Sequence, residues 1–286
     1  MPELPEVEVV RRGLLSFLPG RIVTAVAVGK HHLRRPIPTH LLTRHIQGQT
    51  FLTIDRRAKY LLLRMTGGAT LVIHLGMTGK LSVVPKSTTL HKHDHLRLSL
   101  NSDRELRLND SRRFGTVMVW PAAEAVASEG LFFAQTGIEP FDPGFTSDHL
   151  YTLACRRKLP VKSLLMNSRL IAGIGNIYAN EILFAARIHP ATPAQFLNRQ
   201  DWQRIIVATQ RILQEAIEAG GSTIGDFLNA SGHPGYFQFH FAVYRQEGSA
   251  CSVCAQPTVK MTLAGRATYF CPACQPLQHK MSQKRD

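Results

Sequence analysis

The 286-residue sequence has no apolar run approaching the roughly 18 residues that a membrane-spanning helix needs. Its start has neither the basic nor the apolar stretch that directs secretion, so a cytoplasmic protein without membrane attachment is expected. Acidic residues are scarce. Twenty Asp and Glu stand against 34 Lys and Arg, leaving a formal charge of +14. That balance points to a polyanionic partner, because each phosphate neutralised by Lys or Arg releases condensed counterions. Ribosomal and membrane-surface proteins share it, so charge alone leaves the polyanion open. Cysteine is scarce too: there are five, an odd number, and four form two tight pairs near the end. This excludes a disulfide framework and fits a metal in a reducing compartment. No internal repeat is present. The rest of the composition, 44% hydrophobic and 19% charged, is that of a globular chain long enough for two or three domains.

Hydrophobic patterning divides the chain. Leu4, Val7, Val10 and Leu14 recur at helical spacing, and Pro5 suits a first helical turn, where its missing N–H costs nothing. A short amphipathic helix is predicted there, with Glu6 and Glu8 near its positive end. The segments KYLLLRM and LVIHLGMTG flank a Gly-Gly turn, and HLRLSL and ELRLND flank NSDR. Leu96, Leu98 and Leu100 alternate with polar residues, as do Leu106 and Leu108. Hairpins at such spacing predict an antiparallel sandwich or barrel. Residues 134–147 are rich in glycine and proline and read as a linker. Beyond them the period is helical. Trp202, Ile205, Ile206, Thr209, Ile212, Leu213, Ala216 and Ile217 share one face of a helix that Gly220 and Gly221 stop. The expected division is an N-terminal domain at 1–133, a linker at 134–147 and a helical domain at 148–244. A cysteine module at 245–276 and a frayed tail at 277–286 follow.

The cysteines are the most specific local signal. Cys251 and Cys254 form one C-x2-C pair, and Cys271 and Cys274 form another after sixteen intervening residues. Four thiolates at this spacing close a tetrahedral Zn²⁺ site with no position left for substrate, so the metal is structural. A module of about 30 residues cannot build a sufficient core and folds on its metal instead. An iron–sulfur cluster is the rival occupant. Lys260 and Arg266, between the pairs, read as part of a solvated hairpin or of a phosphate-contacting finger. Cys155 stands apart and reads as a small buried side chain.

Other segments carry weaker signals. In GIGNIYANE, Gly173 and Gly175 make a tight turn and Asn176 is an N-cap candidate for a helix whose first N–H groups could hold a phosphate. With a basic helix expected near Pro160, the pair resembles a helix-turn-helix element. In NDSRRFG, Arg112, Arg113 and Phe114 set two cations beside an aromatic ring. They read either as a wedge that fills a gap in a base stack or as a core Phe with solvated arginines. Met77 in HLGMTG poses the same choice. His91, His93 and His95 alternate as on one strand face, but no carboxylate completes a metal-ligand spacing. Phosphate contact is their remaining functional reading.

The opening MPELPEVE is left with Pro2 and Glu3 unexplained by helix formation. Proline is small enough for the initiator Met to be removed, which leaves Pro2 as the N-terminus with a secondary amine. An α-amino group has a pKa of about 7.7–8.0 against about 10.4 for lysine, so roughly one-tenth of it is unprotonated at neutral pH. Burial, or a cationic neighbour such as Lys59, lowers the value further. Such an amine attacks an aldehyde-like carbon to give an iminium ion directly, and Glu3 beside it is placed to move protons. The pattern suits Schiff-base chemistry on a sugar C1′.

Together MPELPEVE, RRAKY, HLGMTG, KHDH, SRRFG, GIGNIYANE, GHPGYF and the four-cysteine module resemble the formamidopyrimidine-DNA glycosylase family. The likeness covers essentially the whole chain and keeps the family's motif order. It implies a multidomain α+β fold: an N-terminal β-sandwich with flanking helices, a helix-two-turns-helix region and a zinc-finger β-hairpin. It implies a monomeric, bacterial, nucleoid-associated enzyme acting on double-stranded DNA that contains oxidised purines or abasic sites, which flips the damaged base out of the stack. By the resemblance Pro2 is the nucleophile and Glu3 the general acid/base, while Glu6 orders the site. Lys59, His93, Asn176 and Arg266 match phosphate-binding positions, with Arg113 and Lys260 in the same DNA-binding surface. Met77, Arg112 and Phe114 match a void-filling wedge, and Cys251, Cys254, Cys271 and Cys274 ligate one Zn²⁺. Base loss would be followed by β- and δ-elimination. In GSTIGDF, Gly225 stands where the family commonly carries a basic residue, which puts one lesion or phosphate contact in question. Two rivals stand beside this reading: the same chemistry on oxidised pyrimidines, as in the endonuclease VIII branch, and a non-catalytic zinc-ribbon nucleic-acid binder.

Overall fold

The computed structural model describes residues 2–222 and 241–277. Among these, no helix is long and apolar enough to cross a membrane. The chain forms two compact units, which among the described residues are 2–135 with 216–222, and 136–215 with 241–277.

The first unit starts with helix α1 (Leu4–Leu15), whose Leu4, Val7, Val10 and Leu14 are fully buried as their spacing predicts. Two four-stranded antiparallel sheets follow. One has the strand order β1 (Val23–Val28), β6 (Asp94–Leu100), β7 (Arg104–Asn109), β5 (Lys80–Pro85). The other runs β2 (Phe51–Arg57), β3 (Tyr60–Met65), β4 (Thr70–His74), β8 (Thr116–Trp120). Both predicted hairpins form: Leu62 pairs with Val72, and Leu98 with Leu106. One core holds Val7 and Leu14 of α1, Leu61 and Leu63 of β3, and Leu98 and Leu108 of the other sheet, the arrangement of a β-sandwich.

The two sheets read differently in sequence for a physical reason. In β6 the leucines alternate because only one face meets the core. In β3 the run Leu61-Leu62-Leu63 is continuous because both faces are covered. Leu62 packs with Val72, Trp120 and Ala125 under helix α3 (Ala125–Phe133), away from the sandwich core. Helix α2 (Thr39–His45) lies between β1 and β2 in the chain.

The second unit contains α4 (Ser147–Ala154), α5 (Val161–Leu165), α6 (Asn176–Ala185) and α7 (Arg199–Glu218), the last three residues of α7 grouping with the first unit. All eight α7 positions expected on one face are buried. Gly220 and Gly221 follow with φ of 78° and 81°. The segment expected as a linker carries more structure than that expectation allows. Ile138 bridges Ile171 in parallel, and a Cβ on Gly137 would lie 2.2 Å from the Leu170 carbonyl carbon, so only glycine fits. The hairpin β9 (Val259–Leu263) and β10 (Arg266–Phe270) forms the small C-terminal sheet.

This partition predicts contrasting effects of two leucine truncations. Leu98→Ala, at a fully buried site, should cost about 2–5 kcal/mol of stability. Leu131→Ala, 81% exposed on α3, should change it by less than about 0.5 kcal/mol. Urea denaturation of both variants reads the difference.

Candidate functional site

The start of α1 is buried and fully engaged. Pro2 is buried, and Glu3 and Glu6 are each 1% exposed. Glu3 is the N-cap and Glu6 the third helical residue, and they form a reciprocal capping box. The Glu3 N–H donates to Glu6 Oε2 at 2.9 Å. The other Glu6 oxygen accepts from the Ser222 N–H at 2.9 Å and the Ser222 hydroxyl at 2.8 Å. Helix capping therefore accounts for part of what the sequence left unexplained at Glu3. It does not call for glutamate there, since the preferred N-caps are Ser, Thr, Asp and Asn.

Lys59 sits half-buried in the β2–β3 turn, next to Ala58, whose φ is 53°. Its charge is felt at His74, a residue the sequence reading passed over although HLGMTG contains it. His74 ends β4 opposite Tyr60, the rings 4.7 Å apart. Burial pushes its pKa down to about 4, aided by the charges of Lys59 and Arg34. Its Nδ1 accepts the Gly76 N–H at 3.0 Å, so the neutral ring carries its proton on Nε2.

Exposure rules out the core alternative at Met77 and Phe114. They are 38% and 43% exposed, so neither is a core residue. The Arg112 guanidinium lies 5.1 Å from the Phe114 ring centre, within cation–π range. Arg113 is exposed, with a φ of 60°. With His32, Leu33 and Arg34, the side chains of Arg112, Arg113 and Phe114 line a groove of about 540 Å³. The two turns that present Met77 and Phe114 are locked together. Gly76 has a φ of 64°, and a Cβ on it would meet the Phe114 carbonyl carbon at 2.5 Å. Asp110, also passed over in sequence, has no exposed surface and serves both turns. It accepts the Thr78 hydroxyl at 2.6 Å and the Gly115 N–H at 2.8 Å.

The three histidines do not share a strand face. His91 and His93 precede β6, and only His95 lies within it, buried with Nε2 2.9 Å from the Asp110 carbonyl. His93 is half-buried beside the His95 ring.

In the second unit, Gly173 has a φ of 88° and Gly175, not Asn176, is the N-cap of α6. Asn176 occupies the first helical position because its side chain is committed elsewhere. Nδ2 donates to the Ala267 carbonyl at 3.1 Å, while buried Oδ1 has no hydrogen-bond partner among the described residues. Lys162, 1% exposed, donates to the same carbonyl at 3.0 Å and to the Thr268 hydroxyl at 2.7 Å. Asn180 accepts the Tyr269 N–H at 2.9 Å. The strand that begins at exposed Arg266 is thus held by buried Lys162 and Asn180 and by half-buried Asn176. Lys260 is exposed and pairs with Glu247 at 3.3 Å. Glu181 accepts the N–H groups of Ala242, Val243 and Tyr244 at 2.8, 3.1 and 2.7 Å. Burial pushes its pKa up, and those three bonds hold it back.

The four expected cysteine sulfurs all lie within 4.8 Å of one another, with Cys251–Cys274 at 3.8 Å and Cys254–Cys271 at 3.5 Å. A tetrahedron with Zn–S of about 2.3 Å has edges of about 3.8 Å, so the donor set fits Zn²⁺. Cys155 departs from expectation. It is exposed just past α4, its thiol 3.3 Å from the Thr152 carbonyl, because the buried side of that helix is supplied by Leu150 and Ala154. Gly225 and the GHPGYF segment, with the rest of 223–240, lie outside the described residues.

Three family models match the chain: the formamidopyrimidine-DNA glycosylase N-terminal domain over 1–117, the formamidopyrimidine-DNA glycosylase H2TH domain over 136–227, and the zinc finger found in FPG and IleRS over 248–277. A formamidopyrimidine-DNA glycosylase from Geobacter sulfurreducens is 44% identical over 275 residues, covering 96% of this chain and all of the relative. The Lactococcus lactis protein, as a point variant bound to DNA containing Fapy-dG, superposes with a TM-score of 0.88 at 32% identity, covering 96% of this chain and 100% of that one. Its wild-type form bound to oxidised-pyrimidine DNA gives 0.87 at the same identity and coverage.

The His74 environment predicts a pH dependence. A histidine pKa near 4 in the folded state and near 6.5 in the unfolded state gives stability that is complete above about pH 6.5 and lost as pH falls towards 4. Between pH 7 and pH 5 the loss attributable to this group is about 2 kcal/mol. Urea titrations at the two pH values should show it, and His74→Asn should flatten it. Proton NMR should find Nε2 protonated at pH 6.

Proposed function

The chain belongs to the formamidopyrimidine-DNA glycosylase family, a base-excision-repair enzyme that is both DNA glycosylase and AP lyase, and on that footing we propose that it excises oxidised purines through an iminium bond to Pro2. The observation that carries this reading is the buried, capped start of α1, where Glu6, itself bound by Ser222, caps Glu3 next to buried Pro2. Removal of Met1 frees a secondary amine there. Its lone pair attacks C1′, the glycosidic bond breaks and the departing base takes a proton; the C1′–O4′ bond then opens, O4′ takes a proton, and the iminium ion forms. Loss of a C2′ proton then expels the 3′ phosphate, and a second elimination expels the 5′ phosphate. Glu3 is the group that moves these protons. Glu6 keeps the helix start in place, and Lys59 supplies positive charge to the sugar–phosphate.

Duplex DNA containing oxidised purines or abasic sites is the partner. Residues 1–133 carry the catalytic chemistry, and 148–244 with the finger at 245–276 bind DNA. Asn176, His93 and Arg266 take phosphates, with Arg113 and Lys260 adding charge nearby. Asn176 suits this role through its amide nitrogen: one Nδ2 hydrogen is fixed on the Ala267 carbonyl, and the other is the donor a phosphate oxygen needs. Met77, Arg112 and Phe114 fill the space left by the extruded base, a role that suits apolar side chains exposed on braced turns. The Zn²⁺ held by Cys251, Cys254, Cys271 and Cys274 stabilises the hairpin that bears Arg266 and takes no part in bond breaking. The enzyme works at chromosomal DNA in the cytoplasm. Activity on oxidised pyrimidines is a second reading, favoured by the Lactococcus lactis relative bound to such DNA. Side-by-side cleavage of 8-oxoguanine and thymine glycol duplexes separates the two.

Any extension before Pro2 turns its nitrogen into an amide without a nucleophilic lone pair. Correctly processed protein should give a borohydride-trapped complex with lesion DNA, and an N-terminally extended protein should give none while still binding. Equal trapping by both would identify a lysine as nucleophile. Glu3→Gln retains an oxygen that can cap the helix, so it should fold, lose excision of intact oxidised purine and keep cleavage at a ready-made abasic site.

Phe114→Ala should leave stability within about 1 kcal/mol, since the ring is 43% exposed. It should lower excision from duplex DNA by about tenfold, the scale of one lost stacking contact. A fall in stability of about 3–5 kcal/mol would instead mark a core residue.

A further inference from the structure

Glu8 is not among the residues assigned above, yet it is only 8% exposed and faces three guanidinium groups. Arg11 binds it with two nitrogens, Nη2 to Oε1 at 2.7 Å and Nε to Oε2 at 2.9 Å. Arg12 Nε reaches Oε1 at 2.9 Å, and Arg56 Nε reaches Oε2 at 3.2 Å. Two of these guanidiniums continue to main-chain carbonyls. Arg11 Nη1 donates to Ile54 O at 3.3 Å, and Arg56 Nη1 donates to Ala58 O at 3.0 Å.

Helix stabilisation does not account for this arrangement. Pairs with Arg11 and Arg12, three and four residues on, would support an exposed helix by a few tenths of a kcal/mol and need no burial. Burial pushes the Glu8 carboxyl upward, and hydrogen bonds from Arg11 and Arg12 with the charges of Arg11 and Arg56 outweigh it, leaving the pKa at about 2. The carboxylate is therefore a permanent anion at a costly site. What the site provides is geometry. A planar guanidinium anchored by one edge fixes the direction of its other edge. Through Arg56, the first turns of α1 set the carbonyl of Ala58, the left-handed residue just before Lys59.

We propose that Glu8 is a positioning residue that acts through Arg56 to register the Lys59 turn against the helix start bearing Pro2, so that the lysine charge and the proline amine meet the same sugar. The proposal rests on the Schiff-base reading given above. Glu8→Gln keeps the side-chain shape and removes the anion. Arg56→Lys keeps a cation for Glu8, but a single ammonium replaces the fork that spans Glu8 and Ala58 O.

The test measures single-turnover excision and DNA affinity on an 8-oxoguanine duplex for Glu8→Gln and Arg56→Lys, each in the native and Lys59→Ala backgrounds, with borohydride trapping and thermal unfolding alongside. Misplacing a reacting group by about 1 Å costs up to about 100-fold, so each variant should slow excision roughly 10- to 30-fold in the native background with affinity changed less than threefold. In the Lys59→Ala background the further loss should be under about twofold, because the positioned group is gone. An equal loss in both backgrounds, a loss confined to affinity, or unfolding of both variants would overturn the proposal and make Glu8 a structural staple. Absence of trapping in the unmodified protein would overturn the Schiff-base reading instead.

Discussion

Asp110 has no exposed surface, and its carboxylate holds two turns at once through Thr78 and Gly115. A buried carboxylate left without donors would cost several kcal/mol, so the turns that supply those donors cannot drift away from it. This constraint recurs wherever the protein must present a side chain outward on a fixed backbone. Glu6 meets Glu3 and Ser222, Glu8 meets three arginines, and Glu181 meets three consecutive N–H groups. Buried carboxyl groups are the internal frame, and the outward cations and exposed apolar side chains depend on it. Exposed side chains such as Met77 and Phe114 have no core packing to order them, so their turns are ordered from beneath.

The C-terminal hairpin solves the same problem with different groups. Its strands are short, and their burial alternates without a deep apolar face. Side-chain donors and an acceptor on Lys162, Asn176 and Asn180 grip the main chain from Ala267 to Tyr269. Gln275 ties the last cysteine turn to Ile188 at 2.9 Å. The metal supplies the rest, since four thiolates around Zn²⁺ replace the core that a module this small lacks. Arg266 is left exposed on a strand that is fixed on one side and solvated on the other.

Charge is managed with equal economy in the first unit. Lys59 and Arg34 place positive charge near His74, which stays neutral chiefly through burial. A cation there would repel Lys59 and require desolvation of its own. The imidazole instead fixes the Gly76 N–H and so the turn carrying Met77.

Periodicity and local chemistry were enough to read the two hairpins, the α1 stripe, the amphipathic face of α7 and the metal ligands, because each depends on residues near one another in the chain. What the sequence could not carry was everything decided by contact between distant segments. Asp110 reaches Thr78 across 32 positions, Arg56 reaches Glu8 across 48, and Lys162 reaches Thr268 across 106. No local pattern marks such partners, so Asp110, His74, Lys162 and Glu181 looked ordinary. Cys155 and the histidines near β6 were misread for the converse reason: residue type suggests an environment, but the fold decides which face is covered. Exposure of Met77 and Phe114 likewise was undetermined by an apolar side chain alone. It follows from turns that pack against each other and leave their tips outside, and only the tertiary structure supplies that second surface.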